Sequence, residues 1–185
     1  GTWGSPTSIR NRIVDLIGED STKTFYEKFE KNYVAEEDII QLADWGFNSV
    51  RLPFHYKTLS SAYRSYNEKG FSVIDSVIAW CSRSKIYLIL DMHVAPGSQS
   101  GDENADGDEG AQLWDSEENQ EWAVDIWGEI ARRYATEKWI GGYDLLNEPV
   151  LYNGGSRVRN LQRKMRNRIR KYDPKHTLFA TYKFS

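Results

Sequence analysis

Cysteine is nearly absent from this chain. Cys81 stands alone, so no disulfide can form within the 185 residues. It sits among Ile74, Val77, Ile78 and Trp80, where it reads as a small core residue rather than a reactive thiol. Histidine is scarce too, at 3, with no spacing that would gather a metal site. No apolar run approaches the roughly 18 residues that a membrane helix needs. Proline and glycine number 5 and 14, too few for a collagen-like or low-complexity chain. A surplus of positive charge is also missing. Lys and Arg total 24 against 27 Asp and Glu, which gives no global attraction to nucleic acid. The chain opens on Gly1-Thr2-Trp3 and shows no charged-then-apolar leader; it reads as processed or trimmed at its N-terminus.

Aromatic residues, in contrast, are plentiful: 7 Trp, 11 Tyr and 7 Phe. They supply rings both for a core and for a surface that stacks on flat or amphipathic ligands. With 39% hydrophobic residues the chain can bury a sizeable core, and it reads as one domain over 1–185.

Helical and strand patterns alternate. Ser21 is placed to cap a helix through Phe25, Phe29 and Tyr33. Glu36-Glu37-Asp38 opens a second helix that ends before Gly46. The segment 48–54 reads as a strand with Pro53 at its end. A looser stretch over 57–70 precedes a helix 71–84, in which Phe71, Ile74, Val77, Ile78 and Cys81 recur at helical spacing. The run 86–91 reads as a strand buried on both faces. A polar loop spans 96–113. Asp115 with Glu118 resembles a capping box for a helix to Tyr134. A third strand covers 142–147. A helix over 156–172 buries Val158, Leu161, Met165, Ile169 and Tyr172, and a fourth strand starts at Thr177. Such alternation predicts βαβ units and a parallel sheet.

In parallel α/β folds, chemistry gathers at the C-terminal ends of strands. The first strand runs out through Arg51, His55 and Tyr56, the second through Asp91 and His93, and the third through Asn147 and Glu148. Three strand ends delivering polar groups to one side are poorly explained by stability. Glu148 follows the apolar Leu145-Leu146, so its carboxyl is expected to be half-buried and suited to donate a proton near neutral pH. Arg51 can support carboxylates from a neighbouring strand. His93 can hydrogen-bond a substrate, and the Asn147 amide can hold a sugar hydroxyl.

The segments 46–53 (GFNSVRLP), 90–99 (LDMHVAPGSQ) and 143–149 (YDLLNEP) resemble glycoside hydrolase family 5, the cellulases, mannanases and β-1,3-glucanases built on a (β/α)8 TIM barrel. Leu113-Trp114 and Trp139-Ile140-Gly141-Gly142 add to the likeness, which runs from about Trp3 to Phe179. The resemblance implies a retaining hydrolase of β-linked glucan. Glu148 would be its general acid/base, Asn147 the contact to the sugar 2-hydroxyl, and Arg51 and His93 the supporting residues. It implies a secreted protein and no cofactor. It also implies that this chain holds only about half of the barrel, roughly strands two to five. The family's nucleophile is a Glu on the seventh strand, and no Glu or Asp lies between Pro174 and Ser185. The 185-residue chain alone is therefore expected to be inactive, and poorly soluble or self-associating for want of its other half.

Trp114, Trp3, Tyr56 and His55 are candidates to bind the sugar substrate, with Trp114 expected to face the ligand. Trp45, Trp80, Trp122 and Trp127 read as core or helix-packing residues, and His176 as structural. The run 102–108 (DENADGD) resembles the start of a calcium loop, but its twelfth position is Leu113, so it reads as a solvated acidic loop. The basic residues of 157–171 read as the wet face of a helix rather than a nucleic-acid patch. A carbohydrate-binding half-barrel without catalysis is the rival reading, and a metal-dependent hydrolase a weaker third.

Overall fold

The computed structural model describes residues 4–152 and 154–181. Helices α1 (Pro6–Ile17), α2 (Glu19–Tyr33) and α3 (Glu36–Asp44) come first. Strand β1 (Ser49–His55) follows, then a short helix α4 (Tyr56–Leu59) and the strands β2 (Ser60–Ala62) and β3 (Ser65–Tyr66). The rest alternates: α5 (Glu68–Ser84), β4 (Tyr87–Val94), α6 (Glu117–Tyr134), β5 (Ile140–Asp144), α7 (Gly155–Ile169) and β6 (Thr177–Phe179). The four long-range strands form one parallel sheet in the order β1-β4-β5-β6, while β2 and β3 pair antiparallel by themselves.

The strands sort their side chains by alternation. Along β4, Leu88, Leu90 and Met92 are fully buried and join one core with Ile74 and Val77 of α5 and Ile126, Trp127 and Ile130 of α6. On the opposite face lie Tyr87, Ile89, Asp91 and His93, of which Tyr87 is exposed and Ile89 and His93 are half-buried. The expectation of a strand buried on both faces is met in part: helices cover Leu88, Leu90 and Met92, while on the other face Asp91 is buried, Ile89 and His93 are half-buried and Tyr87 is exposed. The register places Pro53 opposite Asp91 and Asp91 opposite Asp144, so the polar ends of three strands stand level.

Several local expectations hold. The apolar stripe of α5 is buried, as are Val158, Leu161, Met165 and Ile169 of α7. Gly46, at φ 86°, ends α3 in the left-handed region. Buried Cys81 has its thiol pushed up to about 11 by burial, which keeps it unreactive.

Others are corrected. α2 begins at Glu19 with Gly18 before it, so Ser21 lies inside the helix and caps nothing. α1 has no counterpart in the sequence reading. Ser5 caps it by accepting the Ser8 N–H, and Pro6 supplies a first-turn residue that lacks only an unneeded N–H. α6 is capped by Ser116, which accepts the Asn119 N–H at 3.1 Å, rather than by Asp115 with Glu118. α7 ends at Ile169, and Tyr172 lies beyond it, 47% exposed. Trp127 is buried and donates its indole N–H to the Leu145 carbonyl, whereas Trp45, at the end of α3, is 68% exposed. The stretch 57–70 is ordered by close backbone approach. A Cβ on Gly70 would stand 1.9 Å from the Thr58 carbonyl oxygen, so only glycine lets α5 start there.

Candidate active site

The polar ends of β1, β4 and β5 meet around one cation. The Arg51 guanidinium places Nη1 2.9 Å from Asp91 Oδ2 and Nη2 2.9 Å from Asp144 Oδ2. Its Nη2 also donates to Asn147 Oδ1 at 2.9 Å, and its Nε to Asp144 Oδ2 at 3.0 Å. Asp91 Oδ2 further receives His93 Nδ1 at 2.7 Å. An ionised carboxylate can only accept, so His93 carries its proton on Nδ1 and keeps Nε2 as an acceptor when neutral. The Asp91 side chain is wholly shielded from solvent, and its Oδ1 has no hydrogen-bond partner among the described residues. Burial raises its carboxyl above the usual carboxylate range, although His93 and Arg51 pull the other way. Sequence reasoning places Asp91 at a strand end but gives it no role, and it misses Asp144. Their signal was the acid opening the motif 91–93 and the acid closing the strand before Leu145-Leu146.

Asn147 and Glu148 follow β5. Asn147 is buried, and its N–H donates to the Met92 carbonyl at 3.0 Å. Glu148 has φ 39°, a left-handed conformation that costs a non-glycine residue about 1–2 kcal/mol. In this chain Glu148 is exposed rather than half-buried. Its Oε2 receives Asn104 Nδ2 at 3.4 Å.

Trp114 corrects a further expectation. It is 2% exposed, and its indole N–H donates to the Gln99 carbonyl at 2.9 Å. The polar loop folds back so that Leu113 N–H meets the Gly97 carbonyl, and this draws Trp114 inward instead of toward a ligand. Trp3 lies outside the described residues. Tyr56 is half-buried, edge-on to Trp122 with centroids 5.1 Å apart, and stacked on His55 at 4.8 Å. His55 Nδ1 accepts the Lys57 N–H, so neutral His55 donates Nε2–H to Asp106 Oδ2 at 3.2 Å. Both of its nitrogens are engaged within the chain.

The acidic loop is tethered rather than simply solvated. Asp106 accepts the N–H and hydroxyl of Thr7 at 2.8 and 2.7 Å, and Asp108 accepts the Ser5 hydroxyl at 2.6 Å. Burial alone would raise the Asp106 carboxyl, but Thr7 and His55 outweigh it and hold it at about 2. The loop and α1 together border an open cleft of about 580 Å³, lined by Gly4, Pro6, Ile9, Asp102, Glu103 and Asn104. His176 is structural as expected. Its Nδ1 meets Asp173 and its Nε2 donates to the Glu137 carbonyl at 2.8 Å. Among the described residues no helix is long and apolar enough to cross a membrane.

The sequence matches the family described as Cellulase (glycosyl hydrolase family 5) over residues 14–183. It is 33% identical to a Beta-xylosidase of Phanerodontia chrysosporium, over 97% of this chain and 38% of that protein. It is 37% identical to Endoglucanase C of Acetivibrio thermocellus, over 68% of this chain and 37% of that protein. The chain therefore spans about two-fifths of the length of these relatives. The crystal structure of endoglucanase Cel5A from Thermotoga maritima superposes with a TM-score of 0.62 at 23% identity, covering 78% of this chain and 43% of that one. The solved neighbours are (β/α)8 barrels, and the four parallel strands with their helices form about half of such a barrel. The chain belongs to glycoside hydrolase family 5.

Proposed function

We propose that this chain contributes the acid/base half of a retaining β-glycoside hydrolase acting on a β-linked glucan. Glu148 protonates the departing glycosidic oxygen and then deprotonates the attacking water. Asn147 holds the sugar 2-hydroxyl, Arg51 fixes Asn147, and His93 offers Nε2 to a substrate hydroxyl. The nucleophile is a second carboxylate about 5 Å from Glu148, supplied from outside these 185 residues. The protein is secreted, where such polysaccharide lies. The observation that carries this reading is the junction at Asn147: an amide clamped by Arg51 immediately before an exposed carboxylate on a left-handed backbone that follows the end of β5.

The test uses the full gene product and β-glucan, with the product anomer followed by NMR. The β anomer appears first, and Glu148→Gln lowers turnover by about 10²–10⁴-fold, the usual worth of a general acid. First appearance of the α anomer, or full activity in Glu148→Gln, overturns the proposal. The 185-residue chain alone shows no turnover.

A further inference from the structure

We propose that Gln99 is the positioning residue that aims Glu148, a role that rests on Glu148 acting as the acid. Gln99 is fully buried. Its Nε2 donates to the Asn147 carbonyl at 2.9 Å and to the His93 carbonyl at 2.7 Å, while its Oε1 accepts the Ala95 N–H at 3.1 Å. Its own backbone carbonyl accepts the Val150 N–H at 3.1 Å and the Trp114 indole at 2.9 Å. One side chain thus ties the ends of β4 and β5 together. One residue grips the chain immediately before Glu148, at Asn147, and again two residues after it, at Val150.

That grip explains how Glu148 keeps its left-handed backbone. Rotation about its N–Cα bond is measured from the Asn147–Glu148 peptide plane. The plane is fixed at its carbonyl by Gln99, while the Asn147 N–H and side chain are held by Met92 and Arg51. Strained conformations persist where their surroundings over-determine them. Without the Gln99 donor the plane is free to turn, and the carboxyl leaves the line of attack. Gln99 is itself delivered by two left-handed residues, Gly97 at φ 76° and Ser98 at φ 61°. At φ 76° Gly97 sits where glycine is favoured, and a Cβ there would stand 3.1 Å from the Leu113 backbone nitrogen, so a side chain at this turn is strained.

Because Gln99 touches no substrate, its loss is read through the demand for acid. In the full gene product, kcat/KM is compared on cellotetraose, whose leaving group needs a proton, and on 2,4-dinitrophenyl β-cellobioside, whose leaving group does not. Gln99→Met keeps the length and removes every side-chain hydrogen bond. It is expected to lose about 10²-fold on cellotetraose and little on the aryl glycoside. Gln99→Glu, closer in shape, is expected to recover on acidification, when its neutral carboxyl again donates to Asn147; it serves if the Met variant does not fold. Equal losses on both substrates, or no loss on either, overturn the proposal. Glu148→Gln is run alongside. If it shows the leaving-group difference and the Gln99 variants do not, only the Gln99 role fails. If it shows none, the acid assignment fails, and this proposal with it.

Discussion

Arg51 Nη1 lies 2.9 Å from Asp91 Oδ2, joining a guanidinium 38% open to solvent to a carboxylate that is wholly shielded. The pair is asymmetric. Arg51 can exchange its partner for water, whereas Asp91 cannot. Asp144, the second acid on the same guanidinium, would face Asp91 as a like charge if the cation were gone.

Arg51→Met is therefore expected to cost about 3 kcal/mol in urea denaturation, because a buried charge is left uncompensated. The loss is pH-dependent. Burial already raises the Asp91 carboxyl, and removing Arg51 raises it further. Above the unfolded value the folded state then holds the extra proton, so stability falls as pH rises through that window. The deficit is larger at pH 8 than at pH 5. Adding Asp91→Asn restores part of it, a coupling that a double-mutant cycle measures. Equal deficits at both pH values would contradict this account.

The junction of β1, the acidic loop and α1 weakens on acidification. His55 is held below 6.5, chiefly by burial and in part by Lys57, against the opposing pull of Asp106. The unfolded chain then binds the proton first, and stability falls as pH drops below 6.5. Asp106, held at about 2, adds a second loss between 3.8 and 2. Melting temperatures from pH 7 to 5 should decline less steeply in His55→Gln than in the parent protein. Parallel slopes would remove His55 from the explanation.

Trp114 is a structural anchor. Trp114→Phe removes the donor to the Gln99 carbonyl and part of a filled volume, with an expected cost of about 2 kcal/mol. The denaturation midpoint falls while KM for cellotetraose stays unchanged. A raised KM with unchanged stability would instead place the ring against the sugar.

Much of this was legible beforehand, for a physical reason. The run 86–91 is nearly unbroken in apolar residues and the stripe of α5 repeats at helical spacing, so local pattern declares these elements, and strand-end chemistry points to Arg51, His93, Asn147 and Glu148. What depends on the path of a loop was not legible. Trp114 follows a polar segment and could face either way; only the fold-back onto Gly97 turns it inward. Gln99 stood in a motif without a role because its partners, Asn147 and Val150, are about 50 residues distant in sequence. Burial of Leu145-Leu146 predicts a half-buried Glu148, whereas the residue is exposed in this chain. Asp91 stands out in the sequence only as a polar strand end, and its role shows once Arg51 arrives from the neighbouring strand.

The order β1-β4-β5-β6 follows the order of the chain. Each strand is laid beside the one completed before it, and nothing already paired must open to admit a newcomer. During synthesis, which proceeds at about 5–20 residues per second from the N-terminus, every new strand and helix can dock on a finished edge as it leaves the ribosome. The Arg51 site is assembled the same way: cation first on β1, then Asp91, then Asp144 and Asn147, each acid arriving where its counter-charge already waits.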